Sequence, residues 1–131
     1  MIKIMLVDDN PDVADLFSEI LTEAAFSVDV FTTGRAALNS CVSVRYAMVI
    51  ADINMPDIDG LALLQMIRAQ RPLMPYIFVS GRNAPRDENI VQNADAFVLK
   101  IDAPRDLTRK VIEVLAAKGQ DAGTSQSLAA I

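Results

Sequence analysis

The chain has 131 residues, of which 52% are apolar and 22% are charged, a composition typical of one globular domain with one hydrophobic core. Its net charge of −5 argues against a nucleic-acid surface, because phosphate contacts need clustered Lys and Arg. Without histidine, the chain cannot form a Ser-His-Asp triad or a His-containing zinc site. No apolar run approaches the roughly 18 to 20 residues of a membrane span, and the single Cys41 excludes an internal disulfide, so we expect a cytoplasmic protein.

The predicted elements alternate between strand and helix along the whole chain. The first apolar run, from Ile2 to Val7, predicts a strand buried on both faces. Asn10 and Pro11 then begin an amphipathic helix that ends near Ala24, with Asn10 as the N-cap. Further strands are predicted at 27–31, 47–51, 76–79 and 96–99, and further helices at about 34–40, 61–71, 85–92 and 103–117.

This alternation predicts an α/β fold, a parallel sheet with helices on both faces and right-handed connections. In the third helix Leu63, Leu64, Met66 and Ile67 are expected to face inward, whereas Leu61 falls on the polar side. Asn93 is expected to end the fourth helix in the left-handed conformation. The composition from about Lys118 onward predicts a flexible tail or linker over residues 119–131.

Polar side chains follow the apolar runs where four of the predicted strands end. They are Asp8 and Asp9 on the first strand, Asp52 on the third, Ser80 on the fourth and Lys100 on the fifth. In a parallel sheet these ends share one edge, where ligands bind. Adjacent carboxylates repel and need a cation, and oxygen ligands beside a phosphate suit Mg²⁺. A carboxylate can also accept a phosphoryl group as a nucleophile.

Each of these side chains also has an ordinary structural use. Asp52 and Ser80 could form turns, the acidic pair could compensate the dipole of the first helix, and Lys100 could be a solvated charge.

In this order, the residues resemble the receiver domain of two-component response regulators. The resemblance covers about residues 2–117 and includes the stretch from Asp52 to Gly60 and Phe97. It implies a flavodoxin-like, doubly wound five-stranded sheet of order 2-1-3-4-5 with five helices, and a receiver domain over residues 1–118. It further implies a signalling domain, not an enzyme, that catalyses only its own phosphorylation and slow dephosphorylation. The phosphoryl group would come from the phosphohistidine of a sensor histidine kinase or a histidine phosphotransfer protein.

The resemblance also implies a role for individual residues. Asp52 would be the phosphoacceptor, and Mg²⁺ would be held by Asp8, Asp9, Asp52 and the backbone carbonyl of Asn54. The phosphoryl group would be bound by Ser80 and Lys100. The path of the water that removes it would be flanked by Asn54 and Asn83. Phe97 would turn inward after phosphorylation. That movement would reshape the face made by the fourth helix, fifth strand and fifth helix, where an output domain or a second receiver docks. From the net charge and the short apolar runs we expect no nucleic-acid or membrane contact by this domain.

Two residues depart from the family's pattern. Ile101 stands where proline commonly follows the lysine, so we expect a trans Lys100–Ile101 bond, and Asn93 stands where glycine is favoured. Because of Ile101, an alternative interpretation stays open: the chain is a degenerate receiver that acts as a phosphorylation-independent protein-interaction module.

Two other classes of protein fit the sequence less well. A haloacid-dehalogenase phosphatase would need Asp-x-Asp on the first strand, whereas the nucleophile candidate here lies on the third. A flavin-binding flavodoxin would need a phosphate loop where Asp8 and Asp9 stand.

Overall fold

The computed structural model of the chain describes residues 1–81 and 87–119, with the backbone alone at Val91. Its strands are β1 (Lys3–Val7), β2 (Ser27–Phe31), β3 (Met48–Asp52), β4 (Tyr76–Ser80) and β5 (Ala96–Leu99). Its helices are α1 (Pro11–Glu23), α2 (Gly34–Cys41), α3 (Gly60–Gln70), α4 (Glu88–Asn93) and α5 (Ala103–Ala117), and a 3₁₀ turn over Lys100–Asp102 joins β5 to α5.

The five strands form one sheet in the order β2-β1-β3-β4-β5, and every neighbouring pair is parallel. The predicted α/β fold and its strand order are therefore confirmed. Parallel pairing brings the carboxyl ends of the strands to one edge, where Val7 pairs with Ala51 and Ser80 pairs with Leu99. The strand order reverses its direction between β1 and β3. The carboxyl edge at this point is the topological switch point, where doubly wound sheets bind ligands.

Two apolar layers cover the sheet because successive strand residues point to opposite faces. Met5 and Val7 of β1 pack against α2 and α3, whereas Ile4 and Leu6 pack against α1 and α5. The same alternation holds in β3 and β4. Cys41 is buried at the end of α2, as expected for a small apolar residue.

Side chains cap the N-termini of the helices that surround the site. Asn10 accepts hydrogen bonds from the backbone N–H groups of the first turn of α1, as predicted. At α2, Thr33 caps one N–H, and the Asp57 carboxylate accepts two more, from Gly34 N at 3.1 Å and Arg35 N at 3.0 Å. These backbone bonds lower the pKa of Asp57. They also tie the loop that follows β3 to the start of α2.

The end of α4 differs from the prediction. Asn93 does not adopt a left-handed conformation, and the helix ends at Ala94, whose backbone is extended. Among the described non-glycine residues, a positive φ occurs at Ala25, where it is 70°. The Arg68 guanidinium of α3 donates to the carbonyl of Asn93 instead. The Ala94 N–H donates to the carbonyl of Ile90 at 2.9 Å, and Arg68 satisfies the otherwise free carbonyl of the last helical residue.

In α3 two side-chain predictions were wrong. Met66 is exposed, and Leu61 is partly buried and packs against the core. The apolar face of α3 is therefore centred on Leu63, Leu64 and Ile67. None of the helices in the described ranges is long and apolar enough to serve as a transmembrane span. Asn83, the predicted start of the fourth helix and residues 120–131 of the predicted tail lie outside the described residues.

Candidate functional site

Three carboxylates meet at the carboxyl edge of the sheet. Asp8 follows β1 and is 1% exposed, Asp52 ends β3 and is 6% exposed, and Asp9 is exposed to solvent. One oxygen of each lies within 4.8 Å of an oxygen of the others. The structure thus brings together the three acids that the sequence placed at strand ends.

Backbone hydrogen bonds hold the two buried acids in place. Asp8 Oδ1 accepts from Asn10 N at 2.9 Å, and Asp52 Oδ1 accepts from Asn54 N at 3.2 Å. The Asp8 N–H donates to the carbonyl of Phe31 at 3.0 Å, which extends the pairing of β1 and β2 past the end of the strand. In both carboxylates the Oδ2 atom remains available to other partners at the carboxyl edge of the sheet.

Lys100 supplies the positive charge at this edge of the sheet. Its Nζ lies 3.0 Å from Asp8 Oδ2 and 3.0 Å from Asp52 Oδ2. Only the contact with Asp52 has hydrogen-bond geometry, so Asp8 Oδ2 is a buried oxygen without a hydrogen bond. The Lys100–Ile101 bond is trans, as predicted, because no described peptide bond is cis. The 3₁₀ turn therefore delivers the amine to both acids without a proline after Lys100.

The charges of the site shift two pKa values. Burial raises the pKa of Asp52, and the hydrogen bond and charge of Lys100 oppose that rise without cancelling it. For Lys100, partial burial lowers the pKa, but the hydrogen bond to Asp52 and the negative charges of Asp52 and Asp8 outweigh burial and raise the pKa. The ammonium therefore stays protonated at neutral pH, and one cation is shared by two buried carboxylates.

The loop from Ile53 to Gly60 is fixed closely under the end of β3. Gly60 N donates to Ile53 O at 2.8 Å, and the buried Tyr76 hydroxyl donates to Gly60 O at 2.9 Å. A β-carbon at residue 60 would collide with the carbonyl oxygen of Asp52 and lie 2.9 Å from the Phe78 ring. Gly60 is therefore a steric requirement of the site, which the sequence pattern alone did not indicate.

The remaining predicted residues lie around this centre. Ser80 ends β4 and is half-buried, and Asn54 is exposed two residues beyond Asp52. Phe97 of β5 is 38% exposed, on the sheet face opposite to its buried neighbour Val98. The structure therefore places Phe97 in an outward position.

The donor set fits a hard divalent cation. All three clustered side chains offer carboxylate oxygens, which Mg²⁺ prefers, and no soft or imidazole ligand is among them. Two buried acids share a single ammonium, and Asp8 Oδ2 has no hydrogen bond, so a second cation would compensate charge that the protein leaves in excess. Asp8, Asp9 and Asp52 are the side chains that could hold it.

Comparisons with known proteins agree with this geometry. The family model described as the response regulator receiver domain matches residues 4–112. The chain is 33% identical over 85 residues to the transcriptional regulatory protein TctD of Salmonella typhimurium, an alignment that covers 65% of this chain and 38% of TctD. It is 29% identical over 114 residues to the transcriptional regulatory protein CreB of Escherichia coli, covering 86% of this chain and 50% of CreB. The chain thus spans about half or less of the length of these curated relatives.

Solved structures show the same architecture. A CheY-like receiver domain protein from Methanospirillum hungatei aligns with a TM-score of 0.82 and 30% identity, covering 91% of this chain and 97% of that one. The response regulator TrrA of Thermotoga maritima, solved in complex with Mg²⁺-BeF, aligns with a TM-score of 0.81 and 33% identity, covering 88% of this chain and all of that one, 100%.

Proposed function

This chain belongs to the response regulator receiver domain family, and on that premise we propose that Asp52 accepts a phosphoryl group from a partner's phosphohistidine in a Mg²⁺-dependent reaction. As a receiver it is a signalling domain of two-component systems and not a classical enzyme. The donor in this proposal is a sensor histidine kinase or a histidine phosphotransfer protein. Such a donor must supply the histidine, because this chain contains none.

The observation that carries the proposal is the shared position of Lys100. Its Nζ lies 3.0 Å from both Asp8 Oδ2 and Asp52 Oδ2, at the edge where a buried strand ends in a carboxylate. A phosphoryl group on Asp52 would give the ammonium three new oxygen partners in the same place. With a small movement, Lys100 can therefore exchange its ion pairs with the carboxylates for contacts with the phosphoryl oxygens.

The reaction uses one Asp52 carboxylate oxygen as the nucleophile. That oxygen bonds to phosphorus while the bond from phosphorus to the donor's imidazole nitrogen breaks, and the imidazole leaves with a proton from solvent. Lys100 balances charge on the phosphoryl oxygens, and the Ser80 hydroxyl donates a hydrogen bond to one of them. Held by Asp8, Asp9, Asp52 and the carbonyl of Asn54, Mg²⁺ would supply further positive charge there.

Phosphorylation would then shift a two-state equilibrium. Ser80 would move toward the phosphoryl group, and the partly exposed Phe97 would turn inward in the space that this movement leaves. β5 carries Phe97 between α4 and α5, so the change would alter the face that these three elements share. An output domain or a second receiver would dock on that face.

TctD and CreB, which are named transcriptional regulatory proteins, extend well beyond the aligned region. In this proposal residues 1–118 form the receiver and residues 119–131 form a tail or a linker. Asn54, exposed beside Asp52, and Asn83 would influence how fast water removes the phosphoryl group.

The test is intact-mass spectrometry after incubation with Mg²⁺ and acetyl phosphate. The wild type should gain one phosphoryl mass, and the gain should disappear in Asp52→Asn and when a chelator removes the metal. Asp12→Asn, an exposed acid in the first turn of α1, is the matched control and should keep the gain. No gain in the folded wild type would refute the proposal and favour a phosphorylation-independent interaction module.

A further inference from the structure

A concave surface lies at the edge of the sheet where the strands begin, opposite the acidic cluster. It encloses about 600 Å³ and is formed by residues at the starts of β1, β3 and β4 and at the end of α3. This volume lies within the usual range of small-molecule sites. The five residues of β1, at about 3.3 Å each, separate it from the acidic cluster by about 16 Å.

The charge of this pocket is opposite to that of the whole chain. Lys3, Arg45 and Arg71 line it, and no acidic residue is among its described lining residues, although the chain carries a net charge of −5. Lys3 is the only one of the three with a described acidic partner, Asp29 at 3.4 Å. The pocket is therefore a local positive region that favours an anion.

Arg71 gives this region a second feature. Its Nη2 donates to the carbonyls of Cys41 at 3.2 Å and Val44 at 3.1 Å, which fixes the guanidinium beneath the end of α2. Its Nη1 is buried and has no hydrogen-bond partner among the described residues. The guanidinium therefore contributes positive charge to this wall of the pocket, although Nη1 itself is not open to a ligand.

The rest of the pocket is apolar. Pro72, Leu73 and Pro75 line it, and the Leu73 side chain is 81% exposed. An exposed leucine alone needs no explanation, but this one lies beside three cations at a concave surface. The pocket thus offers a charged wall and an apolar wall to one ligand.

We propose that this pocket binds an organic anion with an apolar body, a carboxylate on an aliphatic chain. The carboxylate would lie against Arg45 and Arg71, and the chain would cover Leu73 and the two prolines. Charge complementarity identifies the headgroup, and the exposed apolar wall identifies the body. This site goes beyond the phosphoryl-transfer proposal and does not depend on it.

The experiment is an NMR titration of the ¹⁵N-labelled full chain with octanoate, and separately with octanol and acetate. Octanoate should shift the amide signals of Arg45, Tyr46 and residues 71–74, and it should bind at least about tenfold more tightly than octanol or acetate. Octanol retains the apolar body without the charge, and acetate retains the charge without the body. Equal affinity for all three, no saturable shift with octanoate, or shifts confined to the Asp52 edge would overturn the proposal.

Two exposed positions test the walls separately. Arg45→Gln should weaken octanoate binding about tenfold, and Leu73→Ser should do the same. Ile101→Ser is the matched control for Leu73, because Ile101 is 82% exposed at the other edge of the sheet, and it should leave octanoate affinity unchanged. Phosphorylation by acetyl phosphate should persist in the Arg45 and Leu73 variants, which separates this site from Asp52. Unchanged octanoate affinity in both variants would contradict the proposal.

Discussion

Replacing Lys100 with methionine removes the ammonium while retaining a side chain of similar length. Asp8 and Asp52, 1% and 6% exposed, would then face each other without the cation that lies 3.0 Å from each. At an effective dielectric near 20, each ion pair at this distance attracts by about 5 kcal/mol. Most of that attraction offsets the cost of burying the charges. Breaking a buried pair by removing one partner costs about 3–5 kcal/mol. Because the Lys100 side chain is 23% exposed, we expect the lower limit, about 3 kcal/mol.

Urea unfolding in chelator at neutral pH measures this loss. Lys100→Met should be less stable than wild type by about 3 kcal/mol, a large share of the usual 5–15 kcal/mol of a domain. Adding Asp52→Asn to it should restore much of the stability, since one buried charge disappears. Lys110→Met is the control, because its ion pair with Glu113 is 3.7 Å long and half-exposed, and it should cost less than about 1 kcal/mol.

Two results would refute this reasoning. A loss below about 1 kcal/mol in Lys100→Met would mean that the acids do not depend on the ammonium. A double variant as unstable as Lys100→Met would mean that the loss comes from packing of the methionine and not from an unpaired carboxylate.

Three further predictions concern the surroundings of the site. Gly60→Ala should cost about 3 kcal/mol or more in urea unfolding, because its β-carbon would collide with the end of β3, whereas Gly81→Ala, with open space, should be nearly neutral. Ala25→Gly should stabilise the fold by about 1 kcal/mol, because φ at Ala25 is 70°; destabilisation would contradict the assigned strain. Burial raises the pKa of Tyr46 to about 12 from 10.0, so the phenol's contribution to stability is complete below pH 10 and is lost as pH rises through about 12. Over that range wild-type stability should fall toward that of Tyr46→Phe, and parallel pH profiles would oppose this assignment.

Much of the fold follows from local patterns. The second strand was predicted at 27–31 from the alternation around Val28 and Val30, and it is observed at Ser27–Phe31. Asp8, Asp52, Ser80 and Lys100 could be assigned to one edge because parallel strands place their carboxyl ends together. The topology follows from the alternation of strand and helix, which leaves few arrangements with right-handed connections.

What the sequence could not predict depends on contacts between distant residues. Asp57 caps α2 from 22 and 23 residues away in the sequence, and Arg68 of α3 donates to the carbonyl of Asn93 at the end of α4. Periodicity also misassigned Met66, because helical spacing defines a face of α3 but not how far the neighbouring helices cover it. No local sequence pattern indicates that Nη1 of Arg71 is buried.

The central claim is that Asp52 is the phosphoacceptor, and chemical trapping tests it most directly. The protein would be incubated with Mg²⁺ and phosphoramidate, whose P–N bond resembles that of phosphohistidine, and then reduced with borohydride, which converts an aspartyl phosphate to homoserine. Trypsin should release the peptide Tyr46–Arg68, in which tandem mass spectrometry should find homoserine at residue 52. Homoserine at residue 8 or 9, or at no residue of the folded protein, would contradict the account.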